Sequence, residues 1–129
     1  MQFFWPYLVV FLGGGIGSAA RHGVNRLALY LVGPDFPAGT MAVNIAGCFI
    51  MGLLAGLFAF TTEAPQWLRL CLMTGVLGGF TTFSAFALDT SVLYERGDLS
   101  IAAVYVLGSV VLSIAALFAG LAVMRAITP

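Results

Sequence analysis

The sequence predicts an all-α integral membrane protein, a single domain of four spanning helices with a break in the third, and three observations predict it. First, 61% of the 129 residues are hydrophobic and 8% are charged, against about 25% charged in soluble domains. Five basic and five acidic side chains leave any soluble fold with an apolar surface far beyond what a soluble monomer tolerates. Eleven Phe residues argue against disorder, which goes with few aromatics. Second, no Asp, Glu, Lys or Arg occurs in residues 1–20, 36–62, 70–88 or 99–124, stretches of 20, 27, 19 and 26 residues. A bilayer core takes about 20 helical residues to cross. Third, the short alternating segments of a membrane β-barrel are missing. Four crossings put both ends of the 1–129 domain on one side.

The first helix is expected over 5–32. No basic region precedes its apolar run and no convincing cleavage site follows, so it reads as a retained helix. Arg21 lies one residue beyond the uncharged run, placed to snorkel or to gather anions at a vestibule. His22 has no second ligand at metal-binding spacing, which argues against a haem or transition-metal site. Gly33 supplies the stop.

The second helix is expected over 37–60. Asn44 stands in an otherwise apolar run, and a side-chain amide at membrane depth needs a partner. A bond to another helix and a place in the wall of a pore account for it equally well. Cys48 here and Cys71 in the next helix read as small apolar core residues.

The third helix, over 65–94, opens at Pro65, and Gly97 stops it. Residues 74–86 combine three glycines with Thr81, Thr82 and Ser84, all poor helix formers, and predict a break. Carbonyls freed there can coordinate a hard cation; a kink patched by Thr hydroxyls and water fits the same composition. Phe80, Phe83 and Phe86 are spaced three apart, roughly on one face. They are a packing stripe, or rings whose positive edges meet an anion. Asp89 follows, to pair with an Arg or to cap a polar track.

The fourth helix, over 99–127, carries Tyr105, Ser109 and Ser113 on one face, to line a path or to tie helices together. Gly13/Gly17, Gly52/Gly56 and Gly75/Gly79 give the small-xxx-small spacing of close helix packing. Four such helices enclose little space, so a path is expected between subunits. Arg69 and Arg125 on one side nearly balance Arg26 and Arg96 on the other, and without a positive-inside bias two opposed copies can pair as an antiparallel homodimer. Zero net charge gives no basic surface for nucleic acid, and no catalytic residues stand out, so an enzyme is not expected.

Residues 13–21 (Gly-Gly-Gly-Ile-Gly-Ser-Ala-Ala-Arg), 37–47 (Pro-Ala-Gly-Thr-Met-Ala-Val-Asn-Ile-Ala-Gly) and 78–86 (Gly-Gly-Phe-Thr-Thr-Phe-Ser-Ala-Phe) together resemble the CrcB/Fluc family of fluoride channels, over the full length. The resemblance implies a dual-topology antiparallel homodimer with two fluoride pores and one structural sodium ion, in the bacterial plasma (inner) membrane, where passive fluoride exit protects the cell. It implies that the carbonyls of Gly78 and Thr81 ligate the sodium. By the same resemblance Phe83 and Phe86 turn ring edges to fluoride, Asn44 is a pore donor, and Thr40 lies near the mouth. Tyr105, Ser109 and Ser113 form a polar track, and Arg21 stands at the vestibule. Ala85 and Asp89 depart from the family's usual Thr and Glu. Two rivals remain: a small proton-coupled exporter, which would need an acid that residues 1–20 lack, and a non-transporting membrane anchor.

Overall fold

The computed structural model describes residues 2–61 and 63–129, and every element in it is helical. Helix α1 is Trp5–Val32 and α2 is Ala38–Phe60. Helix α3 covers residues 66–80 as three continuous pieces, Gln66–Arg69, Leu70–Leu77 and Gly78–Phe80; α4 is Phe83–Glu95 and α5 is Leu99–Ile127. Helix ends follow the local chemistry. Pro6 sits in the first turn of α1, where its missing N–H costs nothing, and Gly33 closes that helix at φ 89° with its N–H bonded to the Leu29 carbonyl. Gly97 does the same after α4 at φ 80°, and Asp98 N–H reaches back to Leu93 O at 3.1 Å. These left-handed turns are open to glycine and strained for other residues.

Three segments, Ala38–Phe60, Gln66–Glu95 and Leu99–Ile127, are long and apolar enough to cross a membrane. The sequence led us to expect four. At 28 residues α1 has the length, but Arg21, His22, Asn25 and Arg26 in its second half dilute its apolar character. The third segment differs in another way. From Leu70 to Leu77 it winds as a wide π-helix, a rare form that occurs frequently at functional sites. It is then interrupted at Thr81 and Thr82, both extended, with ψ 156° and 120°.

Helix α1 packs on α3, and α2 packs on α5. In lipid no hydrophobic drive brings helices together, so contact depends on backbones approaching closely. Glycines permit that here. A Cβ on Gly13 would stand 2.7 Å from the Cys71 carbonyl and 3.1 Å from Gly75 Cα, and Gly52 faces the Leu117 carbonyl in the same way. Gly13→Ala is therefore expected to lower stability by about 1–3 kcal/mol through overpacking, read as a lower melting temperature in detergent, whereas at Gly15, with open space around it, the same change should be tolerated. Arg69 ties the far end of α2 to α3. Its guanidinium donates to the Thr61 carbonyl at 2.9 Å and lies 5.3 Å from the centre of the Phe58 ring, satisfying a carbonyl at a helix end that attracts cations.

Little of the chain is interior. Phe86, Leu93, Ala102 and Tyr105 form a small core with Phe36, Met41 and Val106 against it. Phe11, Phe83 and Phe118 are among many large apolar side chains that face outward, as surfaces turned to lipid or to another subunit do.

Candidate functional site

The interruption between α3 and α4 frees backbone groups that a membrane helix normally pairs within itself, and one side chain takes two of them. Thr82 N–H donates to Asn44 Oδ1 at 2.8 Å, and Asn44 Nδ2 donates back to the Thr82 carbonyl at 3.0 Å. The amide of α2 thus acts as a backbone substitute for the unwound residue, meeting the demand that polar groups at this depth be satisfied by protein. Thr82 Oγ1 then accepts from Ala85 N–H at 3.2 Å and so caps the start of α4. Thr81 Oγ1 donates to the Leu77 carbonyl at 2.9 Å, as does Thr81 N–H at 3.0 Å.

These diversions have a consequence for two carbonyls. The N–H four residues after Gly78 belongs to Thr82 and is taken by Asn44; the one four residues after Thr81 belongs to Ala85 and is taken by Thr82 Oγ1. The carbonyl oxygens of Gly78 and Thr81 therefore lose their usual helical donors. Gly78 is exposed and Thr81 half-buried.

From the break an aromatic row runs inward. The Phe83 and Phe86 rings lie 5.5 Å apart, Phe86 and Tyr105 5.3 Å, and Tyr105 and Phe36 5.7 Å with their planes near perpendicular. Phe83 is 78% exposed and Phe86 only 9%. Phe80 is not part of the row. It precedes the break, so the change of direction takes it off the face that Phe83 and Phe86 share, and its ring lies instead beside Gly47 on α2. Tyr105 is fully buried and its hydroxyl donates to Asp89 Oδ2 at 3.0 Å. Asp89 thus meets the polar end of α5 rather than an arginine.

Ser109 and Ser113 continue the Tyr105 face of α5. Their Oγ atoms are buried and have no hydrogen-bond partner among the described residues, which is costly unless something else binds there. Both line a groove of about 320 Å³ together with Asn44, Thr81, Thr82, Phe83 and Phe86. A second cavity of about 360 Å³ lies at the end of the bundle where α1 meets α2, with Thr40, Asp89, Asn25 and Arg96 on its wall. Arg21 is half-buried on α1 and does not line that cavity; Asn25 and Arg96 take the polar positions there.

The sequence reading missed the double use of Thr82, backbone to Asn44 and side chain to Ala85. The signal was present, since a Thr just before a helical run is a preferred cap. Its pairing with Asn44, 38 residues away, left no local trace.

The arrangement joins an unwound turn, unpartnered hydroxyls and aromatic rings in one groove, with no cluster of His, Cys, Asp or Glu suited to a transition metal among the described residues. Residues 8–121 match the model of the family described as CrcB-like protein, Camphor Resistance (CrcB). A fluoride-specific ion channel, FluC, of Rhodopseudomonas palustris (strain BisB5) is 57% identical over 122 residues, covering 95% of this chain and 98% of that one. The channel of the same name from Paracoccus denitrificans (strain Pd 1222) is 62% identical over 119 residues, covering 92% and 94%, and that from Methylobacterium nodulans (strain LMG 21967 / CNCM I-2342 / ORS 2060) is 58% identical over 118 residues, covering 92% and 94%. With a family model matched along most of its length, and relatives this similar across nearly the whole of both chains, the chain belongs to the CrcB family.

Proposed function

We propose that this protein is a fluoride-selective channel through which fluoride leaves the cell passively, built as an antiparallel, dual-topology homodimer with two pores and one structural sodium ion. The observation that carries the reading is the groove, where the unpartnered Ser109 and Ser113 hydroxyls face the same space as Phe83 and Phe86. Fluoride is small and strongly hydrated, so a pore must replace its water with donors. Serine hydroxyls and the Asn44 amide, which keeps one N–H beyond its bond to Thr82, supply them, and positive ring edges complete the shell without a fixed cation. A full positive charge would hold the ion, whereas weak contacts let it leave, as conduction requires.

The names of the three relatives support fluoride as the ion. The exposed Phe83 and the open groove of one chain support a second copy that closes the path. Near-equal arginine counts on the two sides support insertion in both directions, with α1 as the fourth span. The freed carbonyls of Gly78 and Thr81 are hard oxygen donors suited to sodium, and with Gly78 exposed a second copy can bring its own pair. A bound sodium ion supplies the charge that holds such carbonyls together. Thr40 and Arg21 belong to the approach, Thr40 on the wall of the end cavity.

The test is fluoride efflux from liposomes holding the purified protein, read by a fluoride electrode with a potassium ionophore to discharge the voltage. Fast fluoride release with negligible chloride release is expected. Release that depends on a proton gradient would favour an exporter, and silence from well-folded dimers would favour an anchor. Rigorous removal of sodium is expected to lower flux or loosen the dimer; unchanged flux and unchanged dimer would remove the sodium from the account.

A further inference from the structure

The groove contains one nucleophilic side chain to which conduction gives no task. Cys48, a free and half-buried thiol on α2, lines it one helical turn beyond Asn44. Across the same space stand Ser109 and Ser113, and Ser109 is 4% exposed with an Oγ that has no partner among the described residues. A buried, unpaired hydroxyl marks a place where something polar from outside the chain comes to rest. The thiol therefore borders space that an ion or water enters, rather than a sealed apolar contact.

We propose that Cys48 is a soft-metal modification site in the wall of the conduction path, one that takes a monovalent organomercurial and closes the channel. Soft metals prefer thiolate to the hydroxyls and carbonyls around it. With methylmercury chloride the Cys48 S–H and Hg–Cl bonds break and an S–Hg bond forms. The proton passes to water and chloride leaves, with no change of oxidation state. The reagent is small and neutral, so it reaches the groove from either face of the membrane. Once bound, its methylmercury group fills the space beside Phe83 and Phe86. Cys71, the other thiol, does not line the groove and sits on α3 where α1 packs.

The inference rests on the channel reading, and the experiment separates the two. Fluoride efflux is measured from proteoliposomes before and after methylmercury chloride, for the Cys71→Ser and Cys48→Ser proteins, each against its own untreated flux. Intact-mass measurement counts the mercury bound. Cys71→Ser is expected to gain mercury and fall to the flux of protein-free liposomes, with recovery on adding excess dithiol. Cys48→Ser is expected to keep its own untreated flux. Flux that survives full mercuration of Cys48, or a thiol that stays unmodified in the folded protein and reacts only after denaturation, overturns the inference alone. Absence of fluoride flux before treatment overturns the channel reading, and the inference with it.

Discussion

Asn44→Ala is expected to lower selective fluoride flux sharply and to destabilise the protein together. The amide meets both polar groups of Thr82, accepting from its N–H and donating to its carbonyl, and alanine leaves both unpaired at membrane depth. Each unsatisfied buried group costs about 1–3 kcal/mol, so the pair costs about 2–6 kcal/mol. If half of that reaches the conduction barrier, flux falls about fivefold to a hundredfold, at one factor of ten for each 1.4 kcal/mol or so. Asn44→Asp separates the two bonds, because a carboxylate still accepts from Thr82 N–H but cannot donate to its carbonyl. It should fall between wild type and Asn44→Ala in melting temperature. A fully stable but silent Asn44→Ala would make the amide a pore donor and not a frame member, and wild-type flux with wild-type stability would remove it from both roles.

Phe83→Ile and Phe86→Ile are expected to part company in stability while both lose flux. Phe83 is 78% exposed on one chain and gives up little packing within it, whereas Phe86 is 9% exposed and its ring meets that of Tyr105 at 5.3 Å. An aromatic edge contact contributes about 0.5–1.5 kcal/mol, so loss of one such contact from the path lowers flux by up to about tenfold. Phe83→Ile should therefore conduct poorly with an unchanged melting temperature. Phe86→Ile should conduct poorly and melt lower, by less than the about 3–5 kcal/mol of truncation to alanine. Fluoride efflux and thermal melting of the same preparations check both. Undiminished flux in the Phe83 variant would return that ring to packing against lipid or a second subunit.

How much could be read in advance differs from residue to residue. Gly33, Pro65 and Gly97 marked helix ends because backbone geometry is a local property, and the helix bounds agree within a residue or so. Gly75, Gly78, Gly79, Thr81 and Thr82 foretold a break for the same reason. Phe80 was misplaced on one stripe with Phe83 and Phe86, because helical spacing was carried through a point where the helix stops. Asp89 left two partners open, and only the fold brought Tyr105 to it. Helix α1 differs from the other three spanning segments expected, since its charge-free run of 20 residues is followed by a polar second half, and length and composition alone single out three segments.

The sequence by itself determined the membrane class, the number and order of the helices, the interrupted third segment and the family, because these depend on composition, on local conformational preference and on motifs contiguous along the chain. Only the tertiary structure decided that Asn44 serves the backbone of Thr82, that Thr82 caps α4, that Tyr105 holds Asp89, and that Ser109, Ser113 and Cys48 share one groove with Phe83 and Phe86. Those pairings join residues tens of positions apart, and in lipid they are selected by the need to satisfy polar groups that no water can reach. Such a need becomes specific only once helices are close enough to meet it, and the glycines that set their approach act between helices, where no one-dimensional pattern records the partner.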